Sequence, residues 1–583
     1  MTFILQAVSG LCFVAAAACV LVSLFSYKEK LTNLRASLKN PSGGKSVVLR
    51  RREVSVGKAK TNDVVLNAED VSRDHAVLCM RKNNWYVCDT YSKAGTKVNG
   101  ETINGRTQIY DGDRLSFGSV SLIFDAPDNL APAERLEISN DGSLPVSKRK
   151  KAELERSKIA AQQRREQLEQ IKKRRRRENR LTFKAKHSHA RFILSGLAML
   201  FATVFQLING YTVLKETYSP QLFICLAGIF ALEWVYFFFN TQVFRRRGEI
   251  EILAFLFTSV GMMITGSVYP ERVVMQGATA LAGFVFFVFF GWFASDLQRV
   301  NDMRIPVGAG CLLLLAATLV VGTTVNGAKN WIFLGSFSIQ PSEFAKVAFI
   351  YVGAATLEKL QSARSITLYT VFAVACVGLL FLMRDFGTAL IFFATYVFIA
   401  FMRSGDFKTI FFVCAAAALG AVLILYFKSY ILQRFEVYRH VWDDMNDAGY
   451  QQTRTLIYSA SGGLFGVGPG RGELRGIFAA TEDLVFGMLC EEFGMVTAFT
   501  VPVSYCVIAL CCAKKAKTSM SAFYTIASIC ASGMILVQTA LNVFGVTDFL
   551  PLTGVTLPLL SRGGSSMAAT WGLLAFIKLN NSR

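Results

Sequence analysis

Histidine is nearly missing from this 583-residue chain. Only His75, His187, His189 and His440 occur, and none has the spacing of a zinc site, which excludes a histidine metal centre. The thirteen cysteines do not amount to a disulfide framework. Cys311, Cys376, Cys414, Cys511 and Cys512 lie inside apolar runs, and Cys79 and Cys88 fall in a segment expected in the reducing cytoplasm. Acidic residues are short too, 41 against 62 Lys and Arg, a net charge of +21. The imbalance is concentrated in residues 148–191, which include RSKIAAQQRREQLEQIKKRRRRENR. No aromatic residue interleaves that run, so stacking on nucleic-acid bases is excluded. A solvated, partly helical linker and a belt held against anionic lipid headgroups both fit it. The first apolar run, residues 3–25, lacks a basic leader and a clean cleavage site, so it reads as an uncleaved anchor rather than a signal peptide.

What is abundant is apolar. Hydrophobic residues make up 52% of the chain, with 48 Phe, and they gather in long uncharged runs. A helix needs roughly 20 apolar residues to cross a bilayer. Beyond the anchor, twelve such runs follow between residues 192 and 577, one of them at 408–427. The short loops at 245–247, 299–304, 359–364, 403–408 and 514–517 are basic and fall on one side if each run crosses once. That rule puts the N-terminal polar region and the C-terminus in the cytoplasm and the loop 428–482 outside.

Residues 47–126 differ in kind. Stretches at 47–56, 76–80, 85–89 and 120–124 alternate apolar and polar residues between Asn, Asp and Gly turns, the pattern of a small all-β sandwich. Within it lie Gly57-Lys58, Ser72-Arg73-Asp74-His75 and Gly95-Thr96-Lys97-Val98-Asn99-Gly100. These pieces resemble a forkhead-associated (FHA) domain, in order and spacing. The resemblance implies phosphothreonine recognition. Lys58, Ser72 and Arg73 would meet the phosphate, with Thr96 in the same set; Asn99 would hold the peptide backbone and His75 would brace the loop. Lys58 stands where the family usually has Arg, and Ala94 where it has Asn.

Four motifs carry the chemistry of the remainder. Residues 326–349, NGAKNWIFLGSFSIQPSEFAKVAF, suggest a re-entry point in which Pro341 opens a helix and Glu343 and Lys346 share one helix face. Such a pair either satisfies itself or faces a polar cavity. Arg384-Asp385-Phe386-Gly387-Thr388-Ala389 sits at a helix junction. Residues 553–566, TGVTLPLLSRGGSS, allow close backbone approach. A Gly-rich loop leads from residue 449 into Asp483, Glu491 and Glu492.

Together these motifs resemble the SEDS family (FtsW, RodA and SpoVE). The resemblance implies a mainly α polytopic membrane protein: a ten-helix core at 246–583, two extra helices at 191–245, a basic linker at 127–190, the FHA-like domain at 47–126 and the anchor at 1–27. It implies polymerisation of lipid II. The 4-hydroxyl of one disaccharide attacks the anomeric carbon of a second lipid-linked sugar, undecaprenyl diphosphate leaves, and the configuration inverts. Asp483 aligns with the family's essential aspartate, as base and as ligand of a divalent cation such as Mg or Mn. Lys346, Arg434, Arg439 and Arg562 are candidate partners of the diphosphate. Glu343 would position Lys346, Ser565 would contact substrate, and Glu491 and Glu492 would support the Asp483 region.

The chain departs from the family pattern in three places: Arg384 stands for Pro, Arg562 for Tyr, and in Ile477-Phe478-Ala479-Ala480-Thr481-Glu482-Asp483 the usual Pro and Glu are missing and Glu482 replaces Thr. Glu482 either replaces a carboxylate lost upstream or acts on Asp483 by like-charge repulsion. A lipid flippase and a recruiting scaffold with weakened catalysis are the alternatives. The chain lacks a KTG triplet of the cross-linking set, so the resemblance implies a class B penicillin-binding transpeptidase as partner. The FHA-like domain implies a phosphothreonine protein, tied to a Ser/Thr kinase.

Overall fold

A computed structural model of the chain describes residues 2–25, 36–127 and 189–582, apart from 42–45, 50–52, 60–61, 74, 82–83, 91, 104, 244–247, 326, 336, 359–362, 405–437, 444, 448 and 516–520. The basic linker, the apolar run at 408–427 and Arg434 therefore lie outside the described residues. The chain divides into two compact units, one holding residues 29–193 and the other the helices.

The smaller unit is a sandwich of two sheets. One has the order β2-β1-β11-β10-β7-β8 and the other β4-β3-β5-β6-β9. The strands are β1 (Ala36–Lys39), β2 (Val47–Leu49), β3 (Glu53–Gly57), β4 (Val64–Val65), β5 (Ala76–Arg81), β6 (Asn84–Asp89), β7 (Thr96–Val98), β8 (Glu101–Thr102), β9 (Arg106–Ile109), β10 (Arg114–Phe117) and β11 (Val120–Asp125). Alternate residues point inward, so Leu78, Trp85, Val87, Leu115, Phe117 and Phe124 form a buried core. The sandwich starts earlier than the alternation predicted. β1 pairs antiparallel with β11, Leu38 opposite Phe124, and with β2, so the domain begins at Ala36 rather than 47. Four residues carry too little periodicity to mark a strand from sequence.

The larger unit is helical. Its helices are α1 (Thr2–Phe25), α2 (His189–Thr217), α3 (Pro220–Phe238), α4 (Glu249–Val268), α5 (Val273–Phe293), α6 (Leu297–Asp302), α7 (Arg304–Val321), α8 (Pro341–Glu358), α9 (Ala363–Leu382), α10 (Phe386–Ser404), α11 (Tyr450–Ser461), α12 (Val485–Lys515), α13 (Ala522–Val546) and α14 (Gly564–Ser582). Among the described residues, eight helices are long and apolar enough to cross a membrane. With no water to satisfy backbone groups in lipid, helices of this kind are the natural spanning element. α4 is buried along its length, whereas α5 exposes Val274, Leu281, Val285 and Trp292, as a lipid-facing helix does. Trp571 of α14 anchors the centre, its ring 5.0 Å from Phe255, 5.6 Å from Phe284 and 5.5 Å from Phe287.

The helices outside the SEDS-like core are built into the bundle. Phe13 of α1 packs 4.9 Å from Phe205 of α2 and 5.9 Å from Phe257 of α4. Ser23 donates to Glu249 at 2.9 Å. Gln206 of α2 donates to Glu233 of α3 at 2.7 Å and to Ser259 of α4 at 3.1 Å. Polar groups that find partners inside an apolar bundle fix helix register.

The segment before α8, expected to form a re-entry point, is a three-stranded antiparallel sheet of β12 (Thr323–Val325), β13 (Ala328–Leu334) and β14 (Phe337–Ile339). It contributes both polar and apolar residues to a cavity, Asn330 and Ser338 beside Trp331 and Phe333. Lys329 N–H donates to Met383 O at 2.8 Å, which ties the sheet to the end of α9.

Candidate functional site

The helical unit encloses one large cavity of about 940 Å³, formed where β13, β14, the N-terminal ends of α8 and α10, and the loops before α12 and α14 converge. It brings together Glu343, Lys346, Asp483, Arg562 and Ser565, five of the residues singled out from sequence. Asp483 is half-buried at its wall, close over Gly554: a Cβ on that glycine would lie 3.5 Å from Asp483 Oδ2. Gly554 has φ +67°, a conformation that glycine adopts without the strain a side chain brings. The main-chain oxygen of Asp483 accepts from Asn542 Nδ2 at 2.8 Å.

Glu343 and Lys346 do meet on one face of α8. Lys346 Nζ donates to both Glu343 oxygens, at 2.8 and 2.9 Å, and to Gln538 Oε1 at 2.9 Å. Lys346 is 1% exposed and Glu343 5%. All three ammonium hydrogens thus have acceptors within the protein, and the pair satisfies itself while lining the cavity. Gln538 passes the contact on, donating to Thr556 O at 2.9 Å, and the Thr556 and Ser566 hydroxyls lie 2.8 Å apart. Ser565 Oγ accepts from Gln340 N–H at 3.3 Å.

Several predicted residues sit elsewhere. Glu491 and Glu492 are buried under the Gly-rich loop and do not line the cavity. Glu491 accepts from Glu473 N–H at 2.7 Å and Leu474 N–H at 3.0 Å, so it shapes that loop instead of touching substrate. A Cβ on Gly466, at φ +84°, would come within 2.3 Å of Glu492 O, which shows how tightly the loop lies on α12. Arg439 is outside the cavity lining; its N–H reaches Asp548 at 3.4 Å and its guanidinium stacks 5.3 Å from the centre of the Tyr438 ring.

Arg272, which the sequence reading did not single out, and Arg384 and Asp385, which it placed in a motif without assigning them a role, all line the cavity. Asp385 caps α10, accepting from Thr388 N–H at 3.2 Å. It also accepts from Asn330 Nδ2 at 3.0 Å and Gln340 Nε2 at 3.2 Å. An Asp followed three residues later by Thr at a helix start was the available signal for the cap. Arg384 adopts φ +60°, unusual for a side-chain-bearing residue.

In the sandwich, Lys58 and Arg73 are exposed and Ser72 is half-buried, on two loops that run side by side. Lys58 N–H donates to Ser72 O and Ala59 N–H to Arg73 O, each at 3.0 Å. Ser72 Oγ accepts from Lys93 N–H at 2.9 Å. His75 is fully buried; its Nδ1 accepts from Ser72 N–H at 3.1 Å and its Nε2 lies 3.2 Å from Gly95 O, so it braces both loops as expected. Two roles change. Thr96 is fully buried and gives its hydroxyl to Asp89 at 2.6 Å, which makes it a brace and not a peptide contact. Asn99 accepts from Arg114 N–H and donates to Asp113, both at 2.8 Å; its carboxamide holds the turn to β10 rather than a bound peptide backbone.

A membrane-spanning bundle with a partly open cavity of mixed polar and apolar lining that carries a carboxylate, joined to a sandwich with a basic loop pair, defines a polytopic membrane protein with a phosphopeptide-type module. Residues 250–582 match the profile of the FtsW/RodA/SpoVE cell cycle protein family, and residues 54–118 match the FHA domain. The chain belongs to the FtsW/RodA/SpoVE family. It is 30% identical over 285 residues to stage V sporulation protein E of Bacillus subtilis, covering 47% of this chain and 77% of that protein. It is 26% identical over 316 residues to peptidoglycan glycosyltransferase RodA of Mycobacterium tuberculosis, covering 51% of this chain and 67% of that one. Among solved structures, a chain of a peptidoglycan synthase complex matches with TM-score 0.49 and 25% identity, over 57% of this chain and 97% of its own. An FHA domain of Saccharomyces cerevisiae Rad53p bound to a phosphothreonine peptide matches with TM-score 0.15 and 17% identity, over 16% of this chain and 92% of its own.

Proposed function

We propose that the chain is a peptidoglycan glycosyltransferase that polymerises lipid II into β-1,4-linked glycan at the outer face of the plasma membrane, under control of a phosphothreonine protein read by its FHA domain. The observation that carries this reading is the half-buried Asp483 carboxylate at the wall of the 940 Å³ cavity.

In that cavity Asp483 accepts the proton of the acceptor 4-hydroxyl. The hydroxyl oxygen bonds to the anomeric carbon of the donor as the bond from that carbon to the diphosphate breaks. The leaving undecaprenyl diphosphate keeps the electron pair, and the configuration inverts. Arg272 and Arg384 supply positive charge to the same cavity. Among the described residues no three His, Cys, Asp or Glu side chains form a metal-binding group. A Mg or Mn ion would accordingly be held by Asp483 together with phosphate oxygens of the substrate, the mode in which Mg²⁺ is usually bound to phosphates. When bound, such an ion would neutralise charge on the diphosphate.

The basic loops support a cytoplasmic FHA domain and C-terminus, with the loop 428–482 outside, where lipid-linked precursor is consumed. A class B penicillin-binding transpeptidase would supply the cross-linking that the chain has no motif set for. A phosphothreonine protein, a kinase or its substrate, would dock on Lys58, Ser72 and Arg73.

The test is a polymerisation assay on the purified full chain with lipid II and a divalent cation. Wild type should make glycan polymer and Asp483→Ala none, with both proteins equally abundant in the membrane. Transfer of lipid II across vesicles without polymer would instead identify a flippase. For the sandwich, a phosphothreonine peptide should bind and its unphosphorylated form should not; equal affinity would remove the regulatory part of the reading.

A further inference from the structure

Two of the positions where this chain departs from the family pattern meet in the cavity. Glu482 and Arg562, 80 residues apart, form an ion pair through Arg562 Nη2 and Glu482 Oε1. The backbone beneath is stitched in the same place. Arg562 N–H donates to Thr481 O at 2.7 Å, Ser561 Oγ to Glu482 O at 2.6 Å and Asn542 Nδ2 to Asp483 O at 2.8 Å. Three consecutive carbonyls, ending with that of Asp483, are each held from the facing wall.

The pair closes over this seam. Its side chains are only 19% and 33% exposed, and the guanidinium carbon lies 4.5 Å from the centre of the Tyr269 ring. Partial desolvation and a fixed aromatic floor make such a pair stronger and better oriented than one in open water. Glu482 is committed to Arg562, which answers the like-charge alternative: its negative charge is matched within the pair. Arg562 is in turn committed to Glu482 and Tyr269, whereas Arg272 and Arg384 line the cavity with no ion-pair partner among the described residues.

We propose that the Glu482–Arg562 ion pair is a clasp that holds Asp483 over Gly554 in its reactive position, making Arg562 a positioning residue and not a ligand of the diphosphate. The catalytic meaning of the clasp rests on the glycosyltransferase reading; the clasp itself does not. Glu482 is adjacent to Asp483 in sequence, so loss of its tether loosens the seam that carries the carboxylate which must accept the proton. A residue that positions a base acts on turnover, whereas a residue that binds the diphosphate in the ground state acts on substrate affinity.

The experiment uses the full chain in nanodiscs with lipid II and Mg²⁺. Arg562→Gln and Glu482→Gln should each lower kcat roughly ten-fold with KM changed less than about two-fold, and the double variant should be no worse than the poorer single. The exchanged pair, Glu482→Arg with Arg562→Glu, should regain much of the lost kcat. A rise in KM at unchanged kcat, or single effects that multiply in the double variant, would overturn the clasp. A second measurement needs no activity. In an Asp483→Cys chain, alkylation at residue 483, read by peptide mass spectrometry, should speed up on adding Arg562→Gln and slow again with the exchanged pair. Equal alkylation rates in all three would overturn the clasp whether or not polymer forms. Wild type that makes no polymer while the alkylation rates differ as expected would overturn the glycosyltransferase reading and leave the clasp supported.

Discussion

The two regions that carry chemistry arrange charge in opposite ways. On the sandwich, Lys58 and Arg73 stand exposed on loops, and His75, which accepts from Ser72 N–H beside them, is buried. In the helical cavity the matched charges are the buried or half-buried ones, Lys346 with Glu343 and Arg562 with Glu482, while the cations without an ion-pair partner among the described residues, Arg272 and Arg384, are exposed. The difference follows from the solvent. In water an exposed cation costs little and stays available to a soluble phosphopeptide, whereas a charge inside a membrane bundle is expensive unless it is paired. The loops can be open because a rigid sheet fixes them.

Breaking a buried pair should therefore have the largest effect. Lys346→Ala leaves Glu343 buried and unmatched beside Gln538 and should destabilise the bundle by about 3–5 kcal/mol. A thermal melt of detergent-solubilised protein reads this, and the melting temperature should recover when Glu343→Gln is added. An unchanged melting temperature in the single variant would mean that the pair is already solvated.

The sandwich should respond locally. Ser72→Ala should abolish measurable preference for a phosphothreonine peptide over its unphosphorylated form while the fold survives. Thr96→Val should do the reverse: it removes the hydroxyl contact to Asp89 and should lower domain stability by about 1–3 kcal/mol, with little change in peptide affinity. Hydrogen exchange across β5–β7 and a binding titration separate the two outcomes. Equal loss of affinity in both variants would restore Thr96 as a ligand contact.

Exposed pairs should matter least. Arg471 meets Glu216 at 2.8 Å with both side chains one-third exposed, so Arg471→Ala should cost less than about 1 kcal/mol. Asp70 gives a pH test. The Ser119 hydroxyl and N–H hold its carboxyl below the usual range. A group whose folded value is depressed stabilises above the unfolded value, near 3.9, and loses that contribution as pH falls through the folded one. Ser119→Ala should remove the N–H-independent part of this acid sensitivity. An acid unfolding curve that keeps its midpoint would show that the backbone N–H suffices.

Much of the site was legible because its chemistry is local. The three-residue spacing of Glu343 and Lys346 forces them onto one helix face, and they are in contact. His75 was legible as a brace because it sits within the loop it supports. How Glu491 acts was not legible, because a sequence places it eight residues after Asp483 without saying that it turns toward the Gly-rich loop and accepts from Glu473 and Leu474 N–H. The sheet β12–β14 was hidden because its strands are three to seven residues long and the cavity takes both polar and apolar side chains from it, Asn330 and Ser338 beside Val325, Trp331 and Phe333, so no clean alternation marks it.

The sequence by itself determined the membrane helices, the sandwich and the aspartate, since length, apolar content and motif spacing act within a few turns of chain. Only the tertiary structure decided which charges face one another. Glu482 and Arg562 are 80 residues apart and look like two unrelated departures until the loops before α12 and α14 are brought together. Their pairing depends on a cavity that no single segment builds, because the cost of burying each charge is offset only by the other.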